Sequence, residues 1–278
     1  MNFCRHVPGP PLSAFVEWLW YYDDLFMDHD REHVLPDGTF ELVINLEERP
    51  RKLFTSEEAQ GYRTFRRAWL SGAHSSYLVI DVLNGASMMG AHFRPGGIAA
   101  LLGFPSDQLA AQVVELDDVW GLEAWAWRDR LMEAPEPKAK FKVLETWLLE
   151  RLNAPERSDI SARRVASALR QFNDQPEFPD IRGTAEGLNI SHKHLIQEFR
   201  KTTGLAPKLY CRIQRFQRVL AEINRRKQIE WASIAVSCGY FDQAHFIRDF
   251  TAFSGLNPSA YIRHRLDYPG FIRAAEEG

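Results

Sequence analysis

A repeat in the C-terminal half restricts the fold of this chain more than any other feature of its sequence. His194–Tyr210 is HLIQEFRKTTGLAPKLY, and His245–Tyr261, 51 residues further on, is HFIRDFTAFSGLNPSAY. The two stretches share a histidine, an isoleucine, a phenylalanine, a glycine, a leucine, a proline and a tyrosine at equivalent positions. A repeat of this kind indicates one supersecondary unit that is present twice.

Each copy carries the start and stop signals of a capped helix. Ser191 in the first copy and Asp242 in the second are suitable N-cap residues, because their side-chain oxygens can accept a free amide hydrogen. Gly204 and Gly255 stand where each helix would end in the left-handed conformation. The first copy therefore predicts a helix from His192 to about residue 203, and the second predicts its counterpart.

A short helix and a tight turn precede each capped helix. The turn residues are Asn189 and Gly239, which belong to the residue types that most readily adopt positive φ. Pro207 then stands where the next helix would begin, with its φ already suited to a helix. This order is that of a helix-turn-helix unit, in which the second helix enters the major groove of DNA.

Residues ~165–267 resemble the C-terminal DNA-binding domain of AraC/XylS-type transcription regulators. The resemblance lies in LNISHKHLIQEFRKTTGLAPKLY and in IAVSCGYFDQAHFIRDFTAFSGLNPSAYIRHR. It implies two helix-turn-helix units joined by a long helix, here Pro207–Arg225, with their recognition helices in successive major-groove segments about one turn, or ~34 Å, apart. Ala206 departs from the family at the cap position of that helix, where Ser, Thr or Asn is usual. It also implies that the partner is double-stranded DNA.

A helical wheel separates the scaffold of each copy from its exposed face. With Leu195 and Phe199 placed inward in one copy, and Phe246 and Phe250 in the other, the opposite faces carry different residues. The predicted base contacts are Lys193, Ile196, Gln197, Arg200, Gln243, Ala244, Ile247, Arg248 and Thr251. The predicted phosphate contacts are Lys201, Arg212, Arg215 and Arg218. The alternative for the polar residues is an ordinary solvated face, and the shared residues His194 and His245 are assigned to packing or capping.

The charge distribution agrees with this assignment better than the net charge does. The chain has 278 residues and a net charge of −3, but residues 1–154 carry a net −8 and residues 155–278 a net +5. Ten basic residues, Lys227 among them, and three acidic residues lie between Thr184 and Gln228. A basic half favours a polyanionic partner, although a solvated helical face would have the same composition.

The N-terminal half has the period of β-strands instead. FVEWLWYY, GTFELVINL, SYLVIDVLN and SMMGAHF are predicted strands, the last two joined by a two-residue hairpin at Asn84-Gly85. The segment 50–66 is predicted to be a loop or a weak edge strand. Helices are predicted over SDQLAAQVV, Gly121–Met132 and Lys138–Asn153, followed by a linker at 153–159.

The predicted fold class is therefore α+β. Residues 1–154 are assigned to a β-rich, barrel-like domain with flanking helices, which serves as a sensor or dimerisation domain. Residues 155–278 are assigned to an all-α domain of two helix-turn-helix units joined by a long helix. The two helices at the end of the first domain either cover the barrel or supply a dimer face, so both a monomer and a homodimer remain open.

LPDGTFELVIN, AWLSGAH and MGAHFRPGGIAALLGF resemble a β-rich domain of unknown function that is often fused to this DNA-binding module. Such domains sense an effector, dimerise, or do both. The residues predicted to form a pocket for a small-molecule effector are Trp18, Trp20, Tyr22, Phe40, Trp69, His92 and Arg94. For the aromatic residues, the alternative is that they form ordinary barrel core. For Arg94, the favoured interpretation is a structural role in a strand-to-helix turn.

Other function classes lack a motif in the sequence. The spacing of His29 and His33 would suit a metal only on a helix, and no metal or other cofactor is predicted. The runner-up function is an N-terminal enzyme or repair-type domain fused to a DNA-binding module, with Cys4 as its nucleophile; a sequence-neutral architectural DNA binder is a third. No membrane span or signal peptide is apparent, so we expect a cytoplasmic regulator, with RNA polymerase as a further partner if it activates transcription.

Overall fold

The computed structural model describes residues 2–54, 61–152, 160–226 and 228–274. Within these ranges a β-rich N-terminal part precedes a helical C-terminal part, which confirms the predicted fold class. The predicted linker at 153–159 and Lys227 lie outside the described residues. The domain boundary between residues 154 and 155 therefore stays a prediction.

The described strands form two antiparallel sheets. The strands are β1 (Asn2–His6), β2 (Val16–Leu25), β3 (Arg31–Val34), β4 (Glu41–Asn45), β5 (Arg51–Phe54), β6 (Tyr62–Phe65), β7 (Ala68–Ser71), β8 (Leu78–Asp81), β9 (Ala86–Phe93), β10 (Val113–Glu115) and β11 (Phe271–Arg273). Sheet 1 has the order β1-β2-β9-β4-β7-β10, and sheet 2 has the order β11-β3-β8-β5-β6. Both orders are open, so the domain is barrel-like without being a closed barrel. The segment predicted as a loop or weak edge contributes β5 and β6, which lie at one edge of sheet 2.

Alternation along the strands of sheet 1 sends large apolar residues to one face. Phe40, Leu42 and Ile44 share that face, as predicted, and each is fully buried. Leu19 on β2 and Met89 on β9 belong to the same core. Because strand side chains alternate between the two faces, Trp18, Trp20 and Tyr22 lie on the other face of β2, where they are half-buried.

The predicted hairpin at Asn84-Gly85 is wrong. Strand β8 pairs with β3 and β5 in sheet 2, whereas β9 pairs with β2 and β4 in sheet 1. The turn carries the chain from one sheet to the other, and its groups bond to the end of β2: Gly85 N donates to Leu25 O at 2.7 Å, and Met27 N donates to Asn84 Oδ1 at 2.7 Å.

The helix predicted over SDQLAAQVV is also wrong. Ser106–Leu109 forms one 3₁₀ turn, and Val113–Glu115 is strand β10. Ala111 between them has φ +56, which is incompatible with a continuous right-handed helix. The β-branched residues Val113 and Val114 instead pair with β7.

The helices of the N-terminal part cover sheet 1. They are α1 (Ala99–Leu102), α2 (Leu116–Trp120), α3 (Glu123–Glu133) and α4 (Pro137–Leu152), the last two close to prediction. Leu144, Trp147 and Leu148 of α4 are fully buried and belong to the same core as the sheet. This stripe therefore packs within the chain and does not form an open dimer face.

The C-terminal part contains a regular series of helices. They are α5 (Ile160–Asp174), α6 (Ile181–Gly187), α7 (His192–Thr203), α8 (Pro207–Arg225), α9 (Trp231–Ser237), α10 (Gln243–Ser254) and α11 (Pro258–His264). The bounds of α8 are those predicted, and at 19 residues it is about 28 Å long. Its buried side includes Phe216, Val219 and Ile223, which places it in the centre of this part.

The helical part is bonded directly to the N-terminal domain. From α8, Gln214 Nε2 donates to Asp37 O at 2.7 Å and Gln217 Nε2 donates to Pro36 O at 2.8 Å. His33 Nδ1 lies 3.1 Å from Ser254 O at the end of α10. The loop before β4 and strand β3 are therefore among the N-terminal elements that hold the helices.

Strand β11 connects the two parts a second time. It follows α11 in the chain but pairs antiparallel with β3, so that Ile272 is opposite His33 and is fully buried. Flanking bonds extend the pairing: Leu35 N donates to Gly270 O at 2.8 Å and Ala274 N donates to Arg31 O at 3.1 Å. Residues that the sequence assigned to the helical domain thus complete a sheet of the N-terminal domain.

Candidate nucleic-acid interface

Helices α6 and α7 form the first helix-turn-helix unit, called unit one here. Asn189 in the turn has φ +55, and the Ser191 hydroxyl accepts the His194 amide hydrogen at 3.2 Å. Leu195 and Phe199 are fully buried, and Gly204 ends α7 with φ +82. Turn, cap and stop are those predicted.

Helices α9 and α10 form unit two by the same rules. Gly239 in the turn has φ +76, and the Asp242 carboxylate accepts the His245 amide hydrogen at 2.6 Å. Phe246 and Phe250 are fully buried, and Gly255 ends α10 with φ +78. The two units are therefore two copies of one backbone design.

The shared histidines have structural partners in both units. His194 Nε2 lies 3.0 Å from Glu198 Oε1, and His245 Nε2 lies 3.7 Å from Asp249 Oδ2, one helical turn further on in each case. Both acids are buried, and each also accepts from an arginine on an earlier helix. Each histidine therefore serves to satisfy a buried acid.

Sequence reasoning missed those arginines and a second polar device. Arg164 on α5 lies 3.3 Å from Glu198 in unit one, and Arg212 on α8 lies 2.6 Å from Asp249 in unit two. At the end of each helix, the Thr203 or Ser254 hydroxyl donates to a carbonyl one turn earlier and accepts from the amide two residues later. The sequence does contain a signal for this second set of contacts, because a Thr or Ser directly precedes the glycine that ends each helix.

The residues predicted to contact bases lie on the outer sides of α7 and α10. In unit one, Lys193, Gln197 and Arg200 are exposed, and Ile196 is half-buried at the flank. In unit two the exposed residues are Gln243, Ala244, Ile247, Arg248 and Thr251. Each recognition helix therefore offers a continuous free face, on which the two copies differ in side-chain chemistry.

Comparison with known families gives this geometry a name. Residues 184–264 match a family model described as "Helix-turn-helix domain". The C-terminal domain is an AraC-type helix-turn-helix domain. Residues 4–115 match a second model, "Domain of unknown function (DUF6597)". With this domain, the present chain is a DNA-binding transcription regulator.

Solved structures resemble this chain at low similarity. ToxT from Vibrio cholerae, in a 1.65 Å structure, has 10% sequence identity and a TM-score of 0.43, over 95% of this chain and 98% of that one. Wild-type ToxT of strain SCE256 with a bound unsaturated fatty acid has 10% identity and a TM-score of 0.46, over 94% of each chain. Among curated proteins, no sequence matches this chain significantly.

The arginines of the AraC-type domain that were predicted to contact phosphate have partners inside the protein. Arg212 pairs with Asp249 as described, and Arg215, only 8% exposed, lies over the Tyr240 ring. Arg218 pairs with Glu177 and donates to two carbonyls before α6. Lys201 is exposed. A phosphate role is thus compatible with Lys201 as it stands, whereas the arginines would first have to leave their partners.

Strand register decides which effector-pocket residues of the DUF6597 domain share a surface. Between β2 and β9, Trp18 is opposite His92 and Trp20 is opposite Gly90. On β4, Val43 is opposite Gly90 of β9 on one side and Trp69 of β7 on the other. Directly paired residues project to the same face, so Trp18, Trp20, Tyr22, Trp69 and His92 line one side of sheet 1, called the aromatic face here.

Two of the predicted pocket residues lie elsewhere. Phe40 projects to the opposite, fully buried face, where a Cβ added at Gly204 of α7 would lie 3.2 Å from its ring. Arg94 Nε donates to Ser13 O at 2.8 Å, and Arg94 N donates to Phe15 O. Phe40 therefore packs at the contact between the domains, and Arg94 holds a strand-to-helix turn.

The aromatic face contains a partly buried ion pair. His92 Nδ1 lies 2.6 Å from Glu41 Oε2, its ring stacks on Trp18 at 4.1 Å between centroids, and Trp20 Nε1 donates to Glu41. Burial disfavours the charged imidazole, but Glu41 and Asp37 outweigh it and raise the pKa of His92 to about 9. At neutral pH the aromatic face thus contains a fixed cation and a fixed carboxylate between indole rings.

The residues considered for metal or nucleophilic chemistry have structural partners. His29 lies 2.7 Å from Glu32 and 3.1 Å from Asp28, and the His33 ring stacks on Tyr77. The described residues include no group of three or more His, Cys, Asp and Glu side chains placed to hold a metal ion. None of the described helices is long and apolar enough to cross a membrane.

The cysteines are packed against apolar neighbours. Cys4 on β1 is half-buried against the core. Cys211 and Cys238 are buried, and burial raises the pKa of the Cys211 thiol to about 12. A thiol whose pKa is raised in this way is a poor nucleophile at neutral pH.

Proposed function

We propose that this chain recognises one asymmetric DNA site by inserting α7 and α10 into successive major-groove segments. The observation that carries this proposal is how each repeat divides: the identical Phe, Pro and Tyr are buried in both copies, whereas most of the exposed positions differ between the copies, as in Gln197 and Arg248. Unlike faces on like scaffolds bind unlike half-sites, so a single chain needs no palindrome.

The exposed side chains suggest how bases are distinguished. Arg200 and Arg248 have the donor geometry for guanine O6 and N7, and Gln197 and Gln243 match the N6 and N7 edge of adenine. Lys193 supplies a further donor. Apolar contact with thymine methyl groups falls to Ile196, Ala244, Ile247 and Thr251. Lys201 is the phosphate contact that the structure supports best, with Arg212, Arg215 and Arg218 as further ones.

Replacing Arg248 with Ala tests this assignment. Loss of a bidentate contact should lower specific affinity by about 5- to 150-fold and relax the preference at one base position, with little effect on nonspecific DNA. Arg66→Ala, which removes an exposed arginine of the N-terminal domain, is the matched control. Affinities for a duplex selected from a random library by the full chain, and for a scrambled duplex at the same salt, provide the comparison. An equal fall for both duplexes would contradict base recognition by Arg248.

The aromatic face is our proposed effector site. Trp20 and Trp69 offer flat apolar surface, Trp18 stacks on His92, and the His92–Glu41 pair offers one charge of each sign to a polar substituent. An occupant would be sensed by the DNA-binding domain because Asp37, 3.6 Å from His92, accepts a bond from α8 through its carbonyl. This connects the face to the helix that joins the two units.

A thermal-shift screen of small aromatic and amphipathic compounds tests the effector site. The full chain is needed because β11 completes sheet 2. A true ligand raises Tm as RT ln(1 + [L]/Kd) predicts, and Trp20→Ala should abolish the rise. Phe26→Ala, an exposed aromatic outside the face, is the control. A rise that persists in Trp20→Ala would place the ligand elsewhere.

The remaining features of the proposal follow from DNA binding. The regulator acts in the cytoplasm, where bacterial DNA is, and contacts RNA polymerase if it activates. It binds as a monomer or as a homodimer. We assign no catalytic step to either domain.

A further inference from the structure

The turns of the two units differ in length by one residue. In unit one, Ile190 alone separates the turn residue Asn189 from the N-cap of α7. In unit two, Tyr240 and Phe241 separate Gly239 from the N-cap of α10. The repeat therefore breaks at one point, directly before the second recognition helix.

The additional residue of unit two projects into solvent. Tyr240 fills the inner position, where it is 4% exposed and its ring packs edge-to-face on Phe246. Phe241 is 93% exposed, more than any other large apolar side chain in the described part of the chain. Nothing in the packing of the turn requires a phenylalanine there, because the ring is free.

Phe241 adjoins the exposed face of α10. It directly precedes the N-cap Asp242, and the first helical residues, Gln243 and Ala244, are exposed beside it. Ile247, one turn further on, is also exposed. In a helix-turn-helix unit the N-terminal end of the recognition helix approaches the base edges most closely, so a side chain before the cap lies at the mouth of the groove.

We infer that Phe241 is a specificity-determining contact of unit two that packs against thymine C5-methyl groups at the edge of the second half-site. The major groove offers apolar surface chiefly as thymine methyl groups, and an aromatic ring excludes water from them. The inference rests on the proposed insertion of α10 into the groove. Unit one has no counterpart of Phe241, so the thymine contact made before the N-cap belongs to the second half-site.

The experiment uses the full chain and a duplex selected by that chain from a random library. Phe241→Ala should lower affinity for this duplex by about five- to tenfold. Replacing single thymines of the second half-site with deoxyuridine removes only the methyl group, and at the contacted position should cost the wild type about three- to fourfold. The deoxyuridine effect should vanish in Phe241→Ala and persist in Phe241→Leu, whose side chain remains apolar.

The controls distinguish the possible failures. Phe26→Ala removes an exposed phenylalanine from the N-terminal domain and should leave affinity unchanged. If neither Phe241→Ala nor Arg248→Ala affects specific binding, the proposed role of α10 fails. If Arg248→Ala weakens binding but Phe241→Ala does not, only the present inference is overturned. If Phe241→Ala lowers affinity equally for the thymine duplex and the deoxyuridine duplex, the inference is overturned too, because Phe241 would then lie against the sugar backbone.

Discussion

The two helix-turn-helix units have the same local chemistry but are held in the molecule by different contacts. Unit one touches the N-terminal domain directly, since Gly204 at the end of α7 lies against Phe40 and Thr202 lies beside Gly96. Unit two is attached through His33, which bonds to the end of α10, and through β11, which follows the unit in the chain. Duplication reproduced the scaffold, whereas the attachments are specific to each copy.

This difference concerns which part of the chain sets the position of each recognition helix. Helix α7 is positioned by side chains that pack on the domain next to it. Helix α10 depends on backbone pairing of a strand outside the unit. Local mutations should therefore affect the two units alike, while mutations of the attachments should affect one of them.

The largest expected effect is that of Ile272→Ala. Removing a fully buried isoleucine from β11 should cost about 2–5 kcal/mol and loosen β3 and α10 without loosening α7. Hydrogen exchange of the full chain measures this element by element, with Asp267→Ala as an exposed control. Equal deprotection of α7 and α10 would show that the attachments are not separate.

The turn residues should respond unequally. A Cβ at Gly239 would have to tolerate φ +76 and would collide with the Glu177 side chain, so Gly239→Ala should destabilise unit two by about 2–3 kcal/mol. Asn189→Ala should cost unit one only about 1 kcal/mol, because it adds no collision. Gly187→Ala, where no atom lies within 4 Å of the new Cβ, is the control. Denaturant midpoints of the three variants rank their losses of stability. Similar losses for Gly239→Ala and Asn189→Ala would refute the predicted difference between the turns.

The buried acids should depend unequally on their arginines. Arg212→Ala leaves Asp249 with one histidine at 3.7 Å and should cost about 1–2 kcal/mol, since the arginine is partly exposed. Arg164→Ala should cost less than about 1 kcal/mol, because His194 remains 3.0 Å from Glu198. If Arg212 also contacts phosphate, Arg212→Ala should reduce the slope of log affinity against log salt by about one. A change in slope without a change in stability would mean that the ion pair is incidental.

The N-caps should show the smallest difference. Ser191→Ala and Asp242→Ala should each cost about 1 kcal/mol, slightly more for the charged cap. Ala206 accepts no capping bond, so Ala206→Ser should stabilise α8 by about 1 kcal/mol. Helix-specific hydrogen exchange detects these changes. A loss confined to one unit would show that the units are less alike than their backbones.

The features that sequence reasoning predicted are local ones. A cap, a stop glycine and a buried pair four residues apart lie within one or two helical turns, so Ser191, Gly204 and Phe199 suffice to place α7. Likewise, the alternation in β2 placed three aromatic residues on one face. The exposed faces of α7 and α10 follow from these same local rules.

The features that sequence reasoning missed depend on partners that are distant in the chain. Nothing near Asn84-Gly85 indicates that β8 and β9 belong to different sheets, because a hairpin and a crossover between sheets share the same turn residues. Phe40 was placed on the correct face but assigned to the wrong neighbours, since Gly204 is far away in sequence. The arginine partners of Glu198 and Asp249, and the pairing of β11 with β3, also join distant segments.

Strand β11 has a consequence for the order in which the chain can fold during synthesis. Strand β3 leaves the ribosome early. Its partner β11 follows only after both helix-turn-helix units have been made, roughly 10–50 s later at ordinary rates of translation. Throughout that interval β3 presents an open edge, on which another nascent chain could pair. Its charged residues Arg31 and Glu32 are of the kind that discourage such pairing.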